Sequence, residues 1–234
     1  MQFEPPLIPA RLIRRYKRFL ADVTLEDGRE VTAHVANPGA MTGLTQEGLK
    51  LWLQPATNPA RKLKFSWILA EDHPGTLSGV DTSLPNKLVH EALQAARIAD
   101  LAPYARVTPE QKYGENSRID FLLQGDALPD LYLEVKNVHL NRTVGLAEFP
   151  DSATARGAKH LRELAKIAQT GRRAVMLYLV QRTDCQRFAL ARDIDPKYAG
   201  AFEQARDAGL EVLVYDCKIS PQEITLGEPI AYAP

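Results

Sequence analysis

At 234 residues the chain has room for one large or two modest domains. Apolar residues make up 45% and charged residues 25%, with no low-complexity run, which excludes disorder and leaves a globular chain able to bury a sizeable core. The 29 basic residues are balanced by 29 acidic ones, so a wholly electrostatic nucleic-acid binder is excluded and any DNA contact must come from local patches.

The first ten residues, MQFEPPLIPA, lack a charged region followed by an apolar one, and the longest apolar stretch, Ala174 to Val180, is far short of a bilayer span. A soluble, unexported protein with no membrane partner is expected. Cys185 and Cys217 have no metal-ligand spacing and read as buried, reduced thiols.

The first marked feature is RLIRRYKRF, where Arg11, Arg14, Arg15, Lys17 and Arg18 are interleaved with Tyr16 and Phe19. Alone, such a run reads more often as a solvated strand or helix face than as a binding groove. From Lys17 to Leu25 apolar residues take the odd positions, Asp27-Gly28 signals a tight turn, and Val31, Ala33 and Val35 alternate again, which predicts a β-hairpin. Further short strands are expected at Leu49–Leu53, Leu63–Leu69 and Thr76–Val80. Five short strands without a long helix predict a small β-barrel over residues 1–82.

Beyond it the pattern changes. Leu88, Val89, Ala92, Leu93, Ala96 and Ala99 recur at helical spacing, with Ser83 as N-cap and Pro85 in the first turn, predicting a helix over 84–99. Strands are expected near 105–112, 117–123 and 131–138. A helix over 152–169, starting at Asp151 or Ser152 and ending before Gly171, leads to a buried strand at Arg173–Gln181. Pro196–Ala208 reads as a third helix and Leu210–Tyr215 as a strand, so residues 83–234 form an α/β domain with a mixed sheet.

The segment that carries chemistry is SRIDFLLQGDALPDLYLEVKNV. Its loop is centred on Ala127, so an antiparallel hairpin sets Asp120 opposite Glu134 and Arg118 opposite Lys136. Ile119, Phe121, Leu123, Leu131, Leu133 and Val135 fall on the core face. A merely solvated hairpin would pair opposite signs, whereas this register pairs like ones. Two facing carboxylates suit a divalent cation, and an oxygen-only ligand set favours Mg²⁺ or Mn²⁺. Lys136 would then orient a nucleophile or stabilise charge on a phosphate. Glu110-Gln-Lys112, Asp195-Pro-Lys197 and Asp216-Cys-Lys218 repeat the acid–x–Lys triplet without the preceding acidic strand. Glu91, on the helix before the hairpin, reads either as a metal-directed carboxylate or as a solvated residue. Arg156 and His160, spaced i, i+4, share one helix face and suit phosphate contacts.

The dispersed Asp120…Glu134-Val-Lys136 pattern between two helices resembles the PD-(D/E)XK nuclease superfamily. LIRRYKRFLADV, NPGAMTG, KYGENSRIDFLL, LYLEVKNVHL, FPDSATARGAKHLREL and AVMLYLV, in that order, are similar to the sugar fermentation stimulation protein A family of bacterial DNA-binding proteins. The resemblance implies an N-terminal OB-like barrel, a nuclease-like domain, a cytoplasmic location, and DNA as a partner bound with little sequence preference. It implies metal-binding acids at Asp120 and Glu134, the superfamily's lysine at Lys136, its helix acid at Glu91, and an association with sugar metabolism. Pro38 departs from the Thr-like residue the family pattern implies, in a barrel loop expected to stand clear of the metal site.

Three functions remain open on the sequence: a Mg²⁺-dependent nuclease gripping DNA through Arg14, Arg15, Lys17 and Arg18 together with Arg156 and His160; a DNA-binding regulator of sugar-metabolism genes with a vestigial nuclease fold; or an oligosaccharide- or RNA-binding barrel with a structural domain appended. None calls for a small-molecule cofactor, and all are compatible with a homodimer.

Overall fold

The computed structural model describes residues 1–113 and 117–233. Near the N-terminus, alternation of small or apolar residues with charged ones makes a strand, β1 (Ile8–Tyr16), that turns Ala10 and Leu12 into a core. β2 (Leu20–Leu25), β3 (Glu30–His34), β4 (Lys50–Pro55), β5 (Phe65–His73) and β6 (Thr76–Gly79) come next in the chain. β1 pairs with both β2 and β4, while β5 pairs with β4 and, in parallel, with β3. The first five strands therefore close into a barrel filled by Val23, Leu25, Leu51, Leu53 and Trp67.

The hairpin expected from Lys17 differs in detail. β2 begins at Leu20, because Lys17 and Arg18 adopt positive φ (47° and 65°) and form the turn from β1. The basic run is thus the end of one strand plus a turn, and β1 itself is an additional strand.

The second part begins with α1 (Leu84–Gln94), then β7 (Arg106–Tyr113), β8 (Ser117–Gln124), β9 (Leu131–Val138), β10 (Leu140–Thr143) and β11 (Leu146–Phe149). α2 (Ala155–Ala168), β12 (Arg173–Val180), β13 (Arg187–Leu190), α3 (Pro196–Asp207), β14 (Glu211–Ile219), β15 (Ile224–Pro229) and β16 (Ala231–Tyr232) complete it. The main sheet has the order β15-β14-β12-β9-β8-β7, mixed because β9, β12 and β14 run parallel. A small second sheet, β10-β11-β13-β16, lies beside it.

Strand β12 is apolar on both faces because both are covered. Val175, Leu177 and Leu179 pack in one core with Leu88 and Val89 of α1; Met176, Tyr178 and Val180 pack in another with Leu161 of α2 and Phe202 of α3. Ile68 and Leu69 of the barrel belong to the first of these cores.

Two helix limits depart from the sequence expectation. α1 stops at Gln94, short of Ala99: Ala96 takes φ 51°, and the N–H groups of Ala96 and Arg97 return to the carbonyls of Leu93 and Ala92 in a Schellman cap. The N-cap of α2 is Thr154, whose Oγ1 accepts the Gly157 N–H at 3.0 Å, because the Asp151 carboxylate is engaged with the barrel.

Candidate active site between barrel and sheet

The β8–β9 hairpin sets Phe121 opposite Leu133, Leu122 opposite Tyr132 and Leu123 opposite Leu131. This is the register read from the loop centred on Ala127, which takes φ 58°. Phe121, Leu123, Leu131, Leu133 and Val135 enter the α1 core, and Ile119 the α2/α3 core. Past Phe121, Asp120 leaves the ladder: its Oδ2 accepts the Val135 N–H and its Oδ1 the Asn86 side-chain amide, each at 2.8 Å.

Glu134 is only 2% exposed. Its Oε1 takes both Lys136 Nζ and His160 Nδ1, while Oε2 is buried and has no hydrogen-bond partner among the described residues. Arg156 Nε donates to His160 Nε2 at 3.3 Å, which makes that nitrogen an acceptor and puts the imidazole proton on Nδ1, toward Glu134. Burial pushes the Asp120 carboxyl above the usual range, with the Glu134 charge adding to it. Burial acts the same way on Glu134, but Lys136 and His160 outweigh it and hold that carboxyl below its usual range. Two neighbouring carboxylates are thus held apart in acidity.

These residues line a cleft of about 950 Å³ between the barrel and the sheet. From the barrel it is lined by Arg15, Arg18 and Asn37–Ala40, and from the other part by Asn86, Asp120, Glu134, Lys136, His139, Asp151 and Arg156, among others. The barrel loop is fastened across the cleft, since Asp151 Oδ2 accepts the Met41 N–H at 3.0 Å and a Cβ on Gly39 would overlap the Asp151 carboxylate.

Several residues stand apart from their expected roles. Glu91 does not reach the cleft: it lies five residues beyond Asn86, roughly 140° around the helix, and pairs with the Met1 amino group at 3.1 Å. Asn86 takes the place on α1 that faces the site. Arg14 points away from the cleft by strand alternation and pairs with Asp22 at 2.9 Å while covering the Tyr16 ring. Arg15 lines the cleft, but its Nη2 is occupied by the carbonyls of Arg18 and Asn37, both at 2.8 Å, and of Gly39 at 3.0 Å. Lys17 is exposed on the turn and does not line the cleft. His160 is buried against Glu134, where it orients that carboxylate while also lining the cleft. Arg118 is separated from Lys136 and pairs with Glu110 at 3.7 Å. Pro38 lines the same cleft as the carboxylates, contrary to the expectation that its loop stands clear.

Asn86 and His139 were not singled out in the sequence, and Asp151 only as a helix cap. The tertiary fold alone brings the three together, and no local spacing marks them.

Comparison with known proteins gives a consistent picture. The SfsA N-terminal OB domain matches residues 13–80, and the sugar fermentation stimulation protein RE domain matches residues 83–223. The sugar fermentation stimulation protein homolog of Ruegeria pomeroyi is 61% identical over 97% of this chain and 99% of its own length. The homolog of Roseobacter denitrificans is 59% identical over 98% of each chain. The structure of Pyrococcus furiosus SfsA in complex with Ca²⁺ superposes with a TM-score of 0.90 at 25% identity, covering 100% of this chain and 98% of that one.

Proposed function

This chain belongs to the sugar fermentation stimulation protein family, and from that premise and the cleft we propose that it binds DNA with little sequence preference and hydrolyses phosphodiester bonds with a divalent cation. Glu134 carries this reading. A buried carboxylate oxygen without a partner is costly unless something positive meets it, and among the described residues Oε2 of Glu134 is such an oxygen, in a cleft shared with a second acid, Asp120. Asp120 and Glu134 fit a hard cation. Among the described residues no three His, Cys, Asp or Glu side chains gather to hold a metal, so water would complete the shell, as Mg²⁺ or Mn²⁺ prefers. The Ca²⁺ named with the Pyrococcus protein is of the same oxygen-seeking class.

When bound, the cation would polarise a phosphate oxygen and acidify a water. The chain's own residues supply the rest. Asn86 and the Val135 N–H fix Asp120, while His160, held by Arg156, fixes Glu134. Lys136 stands beside Glu134 with its ammonium at the cleft, where it can meet the charge that develops on phosphate. Arg18 and Arg156 supply positive charge along the walls for flanking phosphates. Each side-chain amide lining the cleft already makes a hydrogen bond within the protein: Asn37 with Val80 O and the Gly39 N–H, Asn86 through its Nδ2 with Asp120, and Asn137 with His139 and Gln181. None of the three keeps both amide atoms free for bidentate readout of a base edge, which supports weak sequence preference. Two buried, unpaired thiols, Cys185 and Cys217, suit a reducing cytoplasm.

The test is incubation of the purified protein with single-stranded, nicked and duplex DNA in Mg²⁺, Mn²⁺ or EDTA. Cleavage should require the ion, and Lys136→Ala should lower its rate by about 10²–10³. Mg²⁺ should raise the melting temperature of the wild type, and Glu134→Ala should remove that response. No cleavage, together with melting curves that neither ion moves, would replace this reading with that of a non-catalytic DNA-binding regulator.

A further inference from the structure

We infer that the cleft takes an unpaired DNA strand and excludes the double helix, an inference that rests on the reading above for DNA as the ligand. The two walls of the cleft are tied to each other. Met41 of the barrel loop donates to Asp151, Gly39 packs directly on that carboxylate, and Arg15 gathers the carbonyls of Asn37 and Gly39, so the loop cannot swing outward without losing all three. The cleft's volume, about 950 Å³, is at the top of the roughly 300–1,000 Å³ range of small-molecule sites, enough for a few nucleotides. A double helix is a stiff cylinder wider than its own major groove of about 12 Å, and so can reach the rim of such a space but not enter it. Glu134, nearly fully buried, lies where only a strand that enters the cleft can present a phosphate to it.

A second observation points the same way. Arg18 lines the cleft, and Phe19, the next residue on the β1–β2 turn, lies outside the lining and is 44% exposed. A cation followed by an open aromatic face suits a phosphate and the base attached to it, and bases are available for stacking only when the strand is unpaired. Duplex DNA offers this pair a phosphate alone.

The test measures binding in EDTA by fluorescence anisotropy, using a short labelled oligodeoxynucleotide free or annealed to its complement, followed by cleavage of a stem-loop in Mg²⁺. The single strand should bind more tightly than the duplex. Phe19→Ala should weaken the single strand about tenfold and leave the duplex unchanged. Cuts should fall in the loop of the stem-loop and not in its stem. Equal affinity for the two forms, equal loss on both in Phe19→Ala, or cuts throughout the stem would overturn the inference, the last leaving the nuclease reading intact. Single-strand preference with the Phe19 effect but no cleavage in either Mg²⁺ or Mn²⁺ would uphold it and remove the nuclease reading instead.

Discussion

Asp151 is the carboxylate on which barrel and sheet meet. Burial alone would raise its pKa, but the His139 imidazole 3.4 Å away and hydrogen bonds from the Met41 N–H and Ser152 Oγ outweigh burial and bring it to about 2. A carboxyl whose pKa is depressed on folding stabilises the native state above its unfolded pKa, and that stabilisation is lost as pH falls through the folded value. Asp151→Ala should therefore cost about 2 kcal/mol in urea unfolding at neutral pH. The gap between variant and wild type should narrow below about pH 4 and largely close near pH 2; a gap constant from pH 7 to 2 would show that Asp151 acts by packing alone. None of this was legible in the sequence, where Asp151 reads as a helix cap. Asp120 and Glu134 were legible, because a symmetric loop fixes the hairpin register and the register fixes which side chains meet. The repulsion read from that pairing was only half of the picture. Lys136 and His160 converge on Glu134, and the second of these arrives from a helix that no local pattern connects to β9.

At the scale of elements, length helped without deciding: the nine-residue β1 was missed and the four-residue β6 was read. β8, β9, β12 and α2 announce themselves by period and length, whereas β10, β11 and β13 span four residues each and β16 only two, too few for a period to stand out. The β3–β5 pairing that closes the barrel joins strands about thirty residues apart and has no local signature. Misplacing one element changes the reading of every side chain on it, and the basic run is the case in point. Read as one uniform grip, its cations would all contact phosphate; folded, they divide among an ion pair, a carbonyl clamp and a turn. Arg18→Ala and Arg156→Ala should each flatten the log–log salt dependence of binding by about 0.7 on a single strand. Arg14→Ala should leave that slope unchanged, because its partners are Asp22 and Tyr16. Salt titrations of the three variants separate these cases, and an Arg14 effect equal to that of Arg18 would move the DNA path onto the outer face of β1.

For the whole molecule, the question is whether barrel and sheet unfold as two bodies or one. The sequence shows a change of pattern near residue 82, yet the core does not stop there. Ile68 and Leu69 of β5 lie in one cluster with Leu88 of α1, Leu133 of β9 and Leu177 of β12. Backbone hydrogen bonds cross the joint as well, from Gly79 N–H to Gln181 O at 2.8 Å and from Thr183 N–H to Leu77 O at 3.1 Å. Arg182, 2% exposed, bonds Asp72 of the barrel and Asp184 of its own part, both at 2.8 Å. A shared apolar core, a strand edge paired across the joint and a buried ion pair all break only if both parts open, so calorimetry should show one transition with calorimetric and van't Hoff enthalpies equal. Asp72→Ala removes one of the two carboxylates on a buried guanidinium and should cost about 2 kcal/mol, since Asp184 still compensates part of the charge. For a chain of this size that lowers the single melting temperature by roughly 4–8 °C. If the variant instead splits the transition, with the barrel melting first, the joint is held by Arg182 and not by the Ile68–Leu69 core. The walls of the cleft would then be able to part, and the exclusion of duplex DNA would depend on that one ion pair.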